Sequence, residues 1–138
     1  LEGQAGERAG WRLEAFISDG MAEVLGAADL VVARAGATTL LELAALHKPT
    51  IIVPNAMLTA GHQLKNAKVY QDSLAAVVLD EDEMVKSPSV LVKKITQLLR
   101  ALKILSGLGE NFAKFARPDA AKDVAEMILI TIRRQGRR

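Results

Sequence analysis

Cysteine is absent from the 138-residue chain, and aromatic residues and long apolar runs are few. Without cysteine there is no disulfide framework, no thiolate metal site and no thiol nucleophile. No apolar run approaches the roughly 18 residues of a membrane span, and the first residues lack the charged-then-apolar pattern of a signal peptide. Since half of the residues are hydrophobic, we expect one cytoplasmic domain with a substantial core.

The chain also lacks the residue patterns of several function classes. Its five aromatic residues are not interleaved with basic ones, so nucleic-acid binding has little support. There is no Ser-His-Asp set, no HExxH motif and no GxGxxG fingerprint, so we expect no complete catalytic apparatus, no metal site and no dehydrogenase. The arginines of residues 133–138 form a basic tail, which is more typical of a solvated terminus than of a lipid or nucleic-acid contact.

Strand-like and helix-like segments alternate along the chain. Residues 1–10 are interpreted as irregular, residues 11–132 as one domain and residues 133–138 as the basic tail. Strands are predicted at residues 11–17, 29–33, 50–53 and 74–79, with helices between them. This alternation predicts an α/β fold with a parallel sheet of about four strands, flanking helices and two C-terminal helices.

The C-terminal third is predicted to be helical after an acidic turn at residues 80–83. Ser87 is expected to cap a helix with Pro88 in its first position. That helix carries an apolar stripe from Leu91 to Leu105, which Gly107 and Gly109 interrupt. Asp119 is expected to cap the last helix, which turns a second set of apolar residues inward. This set is Val124, Ala125, Ile128, Leu129 and Ile132.

Residues 30–43 read as a strand, a tight turn and a helix. The apolar run of residues 30–33 is broken by Arg34-Ala-Gly-Ala, and a helical pattern begins at Thr38. Where a parallel strand ends, the amides and the positive dipole end of the next helix converge, and anions and nucleotides bind there. We therefore predict that Gly36, Ala37, Thr38 and Thr39 bind a diphosphate.

Gly36 and Glu42 are the residues of this junction with the clearest chemistry. A residue without Cβ permits a positive φ and a close approach of the backbone to a ligand. Glu42 lies one turn into the helix, where its carboxylate would suit the two donors of a ribose diol. Thr39 and Glu42 also fit a capping box, in which each side chain satisfies an amide of the helix end. Spacing alone leaves both interpretations open.

A second polar cluster follows the next strand. His62, Gln63 and Asn66 are predicted to project from the first turns of a helix, with His62 and Asn66 on one face. Such neutral polar side chains suit hydrogen bonds to sugar hydroxyls, although an exposed polar turn would look the same. His47, at the end of the preceding helix, is interpreted as a surface residue.

The ordered set of these motifs resembles the donor-binding half of MurG-type glycosyltransferases, from about Leu13 to the last helix. The matching elements are Ala28-Asp29, Arg34-Ala-Gly36-Ala-Thr-Thr39 with Glu42, Val53-Pro54 and His62-Gln63-x-x-Asn66-Ala67. The resemblance implies a partial, Rossmann-like domain of the glycosyltransferase-B fold. It also implies metal-independent, inverting transfer of N-acetylglucosamine from UDP-GlcNAc to undecaprenyl-pyrophosphoryl-muramoyl-pentapeptide, which converts lipid I to lipid II for peptidoglycan.

The resemblance assigns a role to each site residue. It implies that the turn from Gly36 to Thr39 binds the UDP diphosphate through amides and a hydroxyl, and that Glu42 binds the ribose. It further implies that Ile17 lies against the uracil and that the cluster of His62, Gln63 and Asn66 contacts the N-acetylglucosamine. No cofactor or metal is implied, and no catalytic residue is expected in this chain.

The resemblance also implies which further parts the chain would need for activity. The acceptor domain, which carries the presumed general base, and the first β-α-β segment of the donor domain have no counterpart here, so the chain alone is expected to be inactive. The intact enzyme would work at the inner face of the plasma membrane on a lipid-linked acceptor. Two alternatives remain: a donor-binding subunit of a related lipid-linked N-acetylglucosaminyltransferase, and a noncatalytic nucleotide-binding module that forms homodimers through a sheet edge.

Overall fold

The computed structural model describes residues 10–55 and 62–135, and within these ranges helices and strands alternate as far as the third strand, after which four helices follow. The strands are β1 (Val31–Ala33), β2 (Thr50–Ile52) and β3 (Val77–Val78). The helices are α1 (Met21–Ala27), α2 (Ala37–Ala45), α3 (His62–Asp72), α4 (Glu81–Lys86), α5 (Ser89–Arg100), α6 (Leu102–Ala113) and α7 (Ala120–Gln135). The predicted α/β class is confirmed. Most of the predicted N-terminal segment and the end of the tail lie outside the described residues.

The three strands form a parallel sheet in the order β1-β2-β3. Val31 is paired with Thr50, and Ile51 with Val77. The central strand β2 is completely buried because helices cover both faces of the sheet, which explains its unbroken β-branched composition. Parallel pairing brings the carboxyl ends of all three strands to one edge, and the loops that leave this edge contain the candidate site.

Residues 12–17 do not form the predicted first strand, so the described sheet has three strands rather than four. Alternation alone predicted a strand there, but a strand also needs a neighbour for its hydrogen bonds and a face to bury. Two apolar side chains of this segment are not buried: Leu13 is 52% exposed and Phe16 is 83% exposed.

The core consists of two clusters on opposite faces of the sheet. Neighbouring strand residues point to opposite faces, and accordingly Ile52 belongs to one cluster and Ile51 to the other. The first cluster contains Phe112, which is fully buried and contacts Tyr70 edge to face with ring centroids 4.9 Å apart. Burial raises the pKa of the Tyr70 hydroxyl above its usual value. Helix α6 contributes to both clusters and so joins the two sides.

Helices α2 and α3 end in the same way, with a non-glycine residue in the left-handed region. His47 has φ 54°, and Leu74 has φ 52°. After α2, the amide of His47 donates to Ala44 O and that of Lys48 to Leu43 O, and the same pair of bonds closes α3. These are Schellman motifs, which normally place glycine at this position.

The C-terminal third differs from the sequence prediction in how its helices begin and end. The predicted single stripe is divided at Ala101, whose φ of −108° and ψ of 66° end α5, and Gly107 and Gly109 lie inside α6. Ser87 does not cap α5, because Pro88 occupies the N-cap position without a side-chain bond. The acidic residues 80–83 form the start of α4 instead of a turn. Its N-cap Asp80 accepts a 3.1 Å bond from the Glu83 amide.

The prediction that α7 turns its apolar residues inward is wrong. Val124, Ile128 and Ile132 are between 54% and 60% exposed, and none belongs to either core cluster. Helical periodicity identifies an apolar face but not the surface that covers it. Helix α7 also continues into the first residues of the predicted tail. No helix in the described part of the chain has the length and apolar character needed to cross a membrane.

Candidate functional site

The turn between β1 and α2 exposes the N-terminus of α2 at the carboxyl edge of the sheet. Gly36 is the N-cap, its carbonyl accepts a 3.0 Å bond from the Leu40 amide, and no side chain caps the helix. Ala37, Thr38 and Thr39 follow as its first three residues, and all are exposed. Amides in these positions have no acceptor within the helix, so they are available to an anion.

Gly36 is not required by the local backbone. Its φ is −71°, so the left-handed conformation that the sequence allowed is not used. A Cβ at this position would meet only Thr39 Oγ1, at 3.9 Å, which is an ordinary contact. The protein itself therefore leaves room for a side chain at position 36. Glycine is then best explained by a ligand outside the turn, which could approach the backbone closely only where no side chain is present.

Glu42 does not form the capping box. Because α2 begins after Gly36, Thr39 is its third residue and cannot be its N-cap, and Glu42 lies a further turn along. The exposed Glu42 borders a cavity of about 380 Å³ between α1 and α2, with apolar residues on the other walls. These are Met21, Ala22 and Leu25 of α1 and Ala45 and Leu46 at the end of α2.

Ile17 borders a second cavity, of about 440 Å³, which shares no lining residue with the first. Its lining comes from the irregular segment before α1 and from one residue of that helix, Val24. The other lining residues are Arg12, Glu14, Phe16, Ser18 and Asp19. Helix α1 therefore contributes to the cavity that contains Ile17 and to the one that contains Glu42, with different residues in each, and the contact of Ile17 with uracil stays a prediction. The contribution of α1 to both cavities was not foreseen from the sequence.

The polar cluster of α3 is divided by its contacts. His62 is exposed, whereas Gln63 Oε1 accepts a 3.0 Å bond from the Asn55 amide. Asn66 Nδ2 donates to the carbonyl of Ala35, 3.3 Å away, which immediately precedes Gly36. The structure thus brings Asn66 to the diphosphate turn and places Gln63 against the start of the loop after β2. The assignment of the three side chains to a sugar stays a prediction.

Arg34 also lies at this edge, although the sequence motifs gave it no role of its own. It follows β1 directly, and its guanidinium donates to Val53 O at 3.3 Å and to Glu81 Oε1 at 2.5 Å. The hydrogen bond to Glu81 is the main reason why the pKa of Arg34 is raised above its usual value. A charged residue directly after the apolar run of β1 was the available signal. In the described part of the chain, no three His, Asp or Glu side chains are placed to hold a metal ion.

The geometry agrees with the comparison to known families. The family model described as glycosyltransferase family 28 C-terminal domain matches residues 13–124, which include Ile17, the Gly36 turn, Glu42 and the α3 cluster. The chain belongs to this family. The α/β architecture inferred from the motifs is that of the family, and the resemblance given by the sequence is confirmed.

Individual relatives of this family 28 domain are bacterial enzymes. The chain is 38% identical over 117 residues to the UDP-N-acetylglucosamine–N-acetylmuramyl-(pentapeptide) pyrophosphoryl-undecaprenol N-acetylglucosamine transferase of Listeria monocytogenes serotype 4b. It is 37% identical over 120 residues to the enzyme of the same name from Anaeromyxobacter sp. strain K. These alignments cover 85% and 87% of this chain but only 31% and 30% of the two enzymes.

A solved structure gives the same result. The crystal structure of MurG from Acinetobacter baumannii matches with a TM-score of 0.72 at 32% sequence identity, over 83% of this chain and 32% of that one. The chain therefore spans about a third of the length of the relatives that it matches, and its fold is that of their C-terminal domain.

Proposed function

We propose that this chain is the donor-nucleotide-binding part of an inverting glycosyltransferase that uses UDP-GlcNAc. The observation that carries the proposal is the start of α2, which no side chain caps and which follows Gly36, a glycine that the local backbone does not require. Glu42 lies one turn beyond it, beside a cavity, and Asn66 holds the turn from the other side. Groups that suit a ribose diol, a diphosphate and a sugar thus lie at Glu42, at the turn and at the α3 cluster, which is the order of these parts in a nucleotide sugar.

The proposed acceptor is a lipid-pyrophosphate-linked muramoyl peptide, so the reaction would convert lipid I to lipid II in peptidoglycan synthesis. The names of the two bacterial relatives support this choice. Because acceptor recognition is expected from the part of those enzymes that has no counterpart here, a related lipid-linked N-acetylglucosaminyltransferase is the alternative. We further propose a cytoplasmic enzyme that works at the inner face of the plasma membrane.

The proposed mechanism assigns this chain to leaving-group stabilisation. The acceptor hydroxyl attacks the anomeric carbon from the face opposite UDP, and the bond to the β-phosphate oxygen breaks as negative charge grows on the diphosphate. The amides of residues 37–39 and the dipole of α2 stabilise that charge, and their fixed orientation makes them effective. Glu42 accepts from the ribose hydroxyls. The general base would come from the acceptor domain, and neither metal nor cofactor is needed.

Calorimetric titration of UDP and UDP-GlcNAc into the chain tests this proposal. We expect Gly36→Ala to keep the urea midpoint and to weaken UDP binding by about tenfold or more, because the added methyl group occupies the position of the diphosphate. Glu42→Gln should weaken the binding of UDP but not of inorganic pyrophosphate, which has no ribose. Gly107→Ala is the matched control, since a Cβ there meets nothing within 4 Å.

Two outcomes would contradict the proposal. If Gly36→Ala and Glu42→Gln bind UDP as well as the original chain, the diphosphate and ribose assignments are wrong. If the original chain binds neither UDP nor UDP-GlcNAc at millimolar ligand, it is not a donor-binding unit. Activity is a separate point: we expect no turnover of the lipid substrate without an acceptor domain.

A further inference from the structure

Arg34 connects the carboxyl ends of all three strands. It is the residue after β1, its first acceptor Val53 is the residue after β2, and its second acceptor Glu81 begins the helix after β3. Two residues beyond Arg34 the chain reaches Gly36, and two residues beyond Val53 it reaches Asn55, whose amide donates to Gln63. One side chain therefore links the turn before α2 to residues 53–55, which follow β2.

The contribution of this ion pair to folding is expected to be small. The Arg34 side chain is 49% exposed and that of Glu81 is 26% exposed, so solvent screens their attraction. Ion pairs in such positions contribute little to stability. The sheet is instead stabilised by completely buried residues such as Ile51 and Ile52. Because the Arg34–Glu81 pair adds little to stability but lies across the candidate site, its position is better explained by an effect on the geometry of that site.

We propose that Arg34 is a positioning residue and that Glu81 directs it, so that the two form a clamp that pre-organises the diphosphate turn and residues 53–55, which follow β2. The inference rests on the proposed function. Glu81 holds the guanidinium across the strand ends, and the guanidinium in turn fixes the Val53 carbonyl. Loss of either partner lowers the fraction of molecules with both segments in the binding geometry, and the apparent affinity falls in proportion.

A direct role of Arg34 as a phosphate ligand makes the opposite prediction for Glu81. If the guanidinium bound the diphosphate itself, Glu81 would compete with the ligand, and its removal would leave UDP binding unchanged or strengthen it. If the pair is a clamp, removal of Glu81 weakens UDP binding just as removal of Arg34 does. The sign of the effect of Glu81→Gln therefore separates the two roles.

The test is a double-mutant cycle on the dissociation constant for UDP, with Arg34→Gln, Glu81→Gln and the double variant. We expect each single change to weaken binding by roughly twofold to fivefold, and the double variant to bind no more weakly than either. Arg34→Lys should restore little, because an ammonium group cannot donate to both acceptors through a planar fork. The urea midpoint of every variant should stay close to that of the original chain, which a purely structural role of the pair would not explain.

Asp72→Asn is the matched control, because it removes one carboxylate from the exposed Lys68–Asp72 ion pair of α3. It should leave UDP binding unchanged. The clamp is refuted if Glu81→Gln binds UDP as tightly as the original chain or more tightly while Gly36→Ala has lost binding, and the proposed function then stands. If the original chain itself fails to bind UDP, the proposed function and the clamp fall together.

Discussion

Gly109 and Gly107 lie two residues apart in α6, and the structure predicts opposite effects when each is replaced by alanine. A Cβ at position 109 would lie 2.5 Å from the backbone oxygen of His47 and 3.5 Å from Pro49 Cδ, whereas a Cβ at position 107 meets nothing within 4 Å. The first distance is far below the 3.4 Å at which ordinary contact begins. The obstacle is a backbone atom in the turn after α2, so it cannot rotate away.

The magnitude follows from two opposing terms. Alanine is favoured over glycine inside a helix by about 1 kcal/mol, which should stabilise Gly107→Ala by that amount. Gly109→Ala gains the same term but forces α6 away from the His47 turn, and overpacking of this kind costs about 1–3 kcal/mol. Helix propensity cancels between the two variants, so the difference between their free energies of unfolding measures the overpacking and should be about 1–3 kcal/mol.

Urea denaturation followed by far-ultraviolet circular dichroism would measure both free energies. The slope against urea should be the same in the two variants, so that the midpoints can be compared directly. Gly109→Ala should have a lower midpoint than the original chain or an equal one, and Gly107→Ala a higher midpoint. Equal upward shifts in both variants would refute the close packing of α6 against the turn after α2.

Two further predictions concern stability. His47→Gly and Leu74→Gly should each raise the free energy of unfolding by about 0.5–1 kcal/mol in urea titrations, because glycine adopts the left-handed conformation without strain. As a control, Ala45→Gly inside α2 should lower the free energy of unfolding. A lower free energy of unfolding for both turn variants would contradict the left-handed conformation of His47 and Leu74. Because burial raises the pKa of Tyr70, the folded state keeps its proton above pH 10 while the unfolded state loses it, so stability should fall as the pH rises past 10. Tyr70→Phe should remove part of that alkaline loss, and an unchanged pH dependence would show that another group causes it.

The parts of the fold that were predicted well depend on short-range chemistry. The strand β2 lies between Pro49 and Pro54, and its β-branched run is typical of a buried parallel strand, so its position could be read directly. The start of α2 was also close to its predicted place, because the apolar run of β1 ends at Arg34. In the same way, the residue types around Gly36 were enough to predict that a helix starts there at the carboxyl end of β1.

The errors share one physical cause. The apolar residues of 11–17 and of α7 follow good strand and helix periodicities, but periodicity records only that one side of an element is apolar. Whether that side is buried depends on a neighbouring surface, and in the described part of the chain most of these residues remain exposed. The break at Ala101 was missed for a related reason, since an unbroken stripe does not reveal that the helix turns to cover both faces of the sheet.

The site shows the same division between sequence and tertiary structure. The sequence by itself determined the α/β class, the family and the order of the candidate ligand-binding residues, because each depends on residue types at short spacing. Only the tertiary structure decided that Gly36 needs no positive φ, that Glu42 is free of a capping box and that Arg34 holds three strand ends together. Those facts depend on contacts between residues far apart in the chain, such as Arg34 and Glu81, and a local pattern carries no information about such contacts.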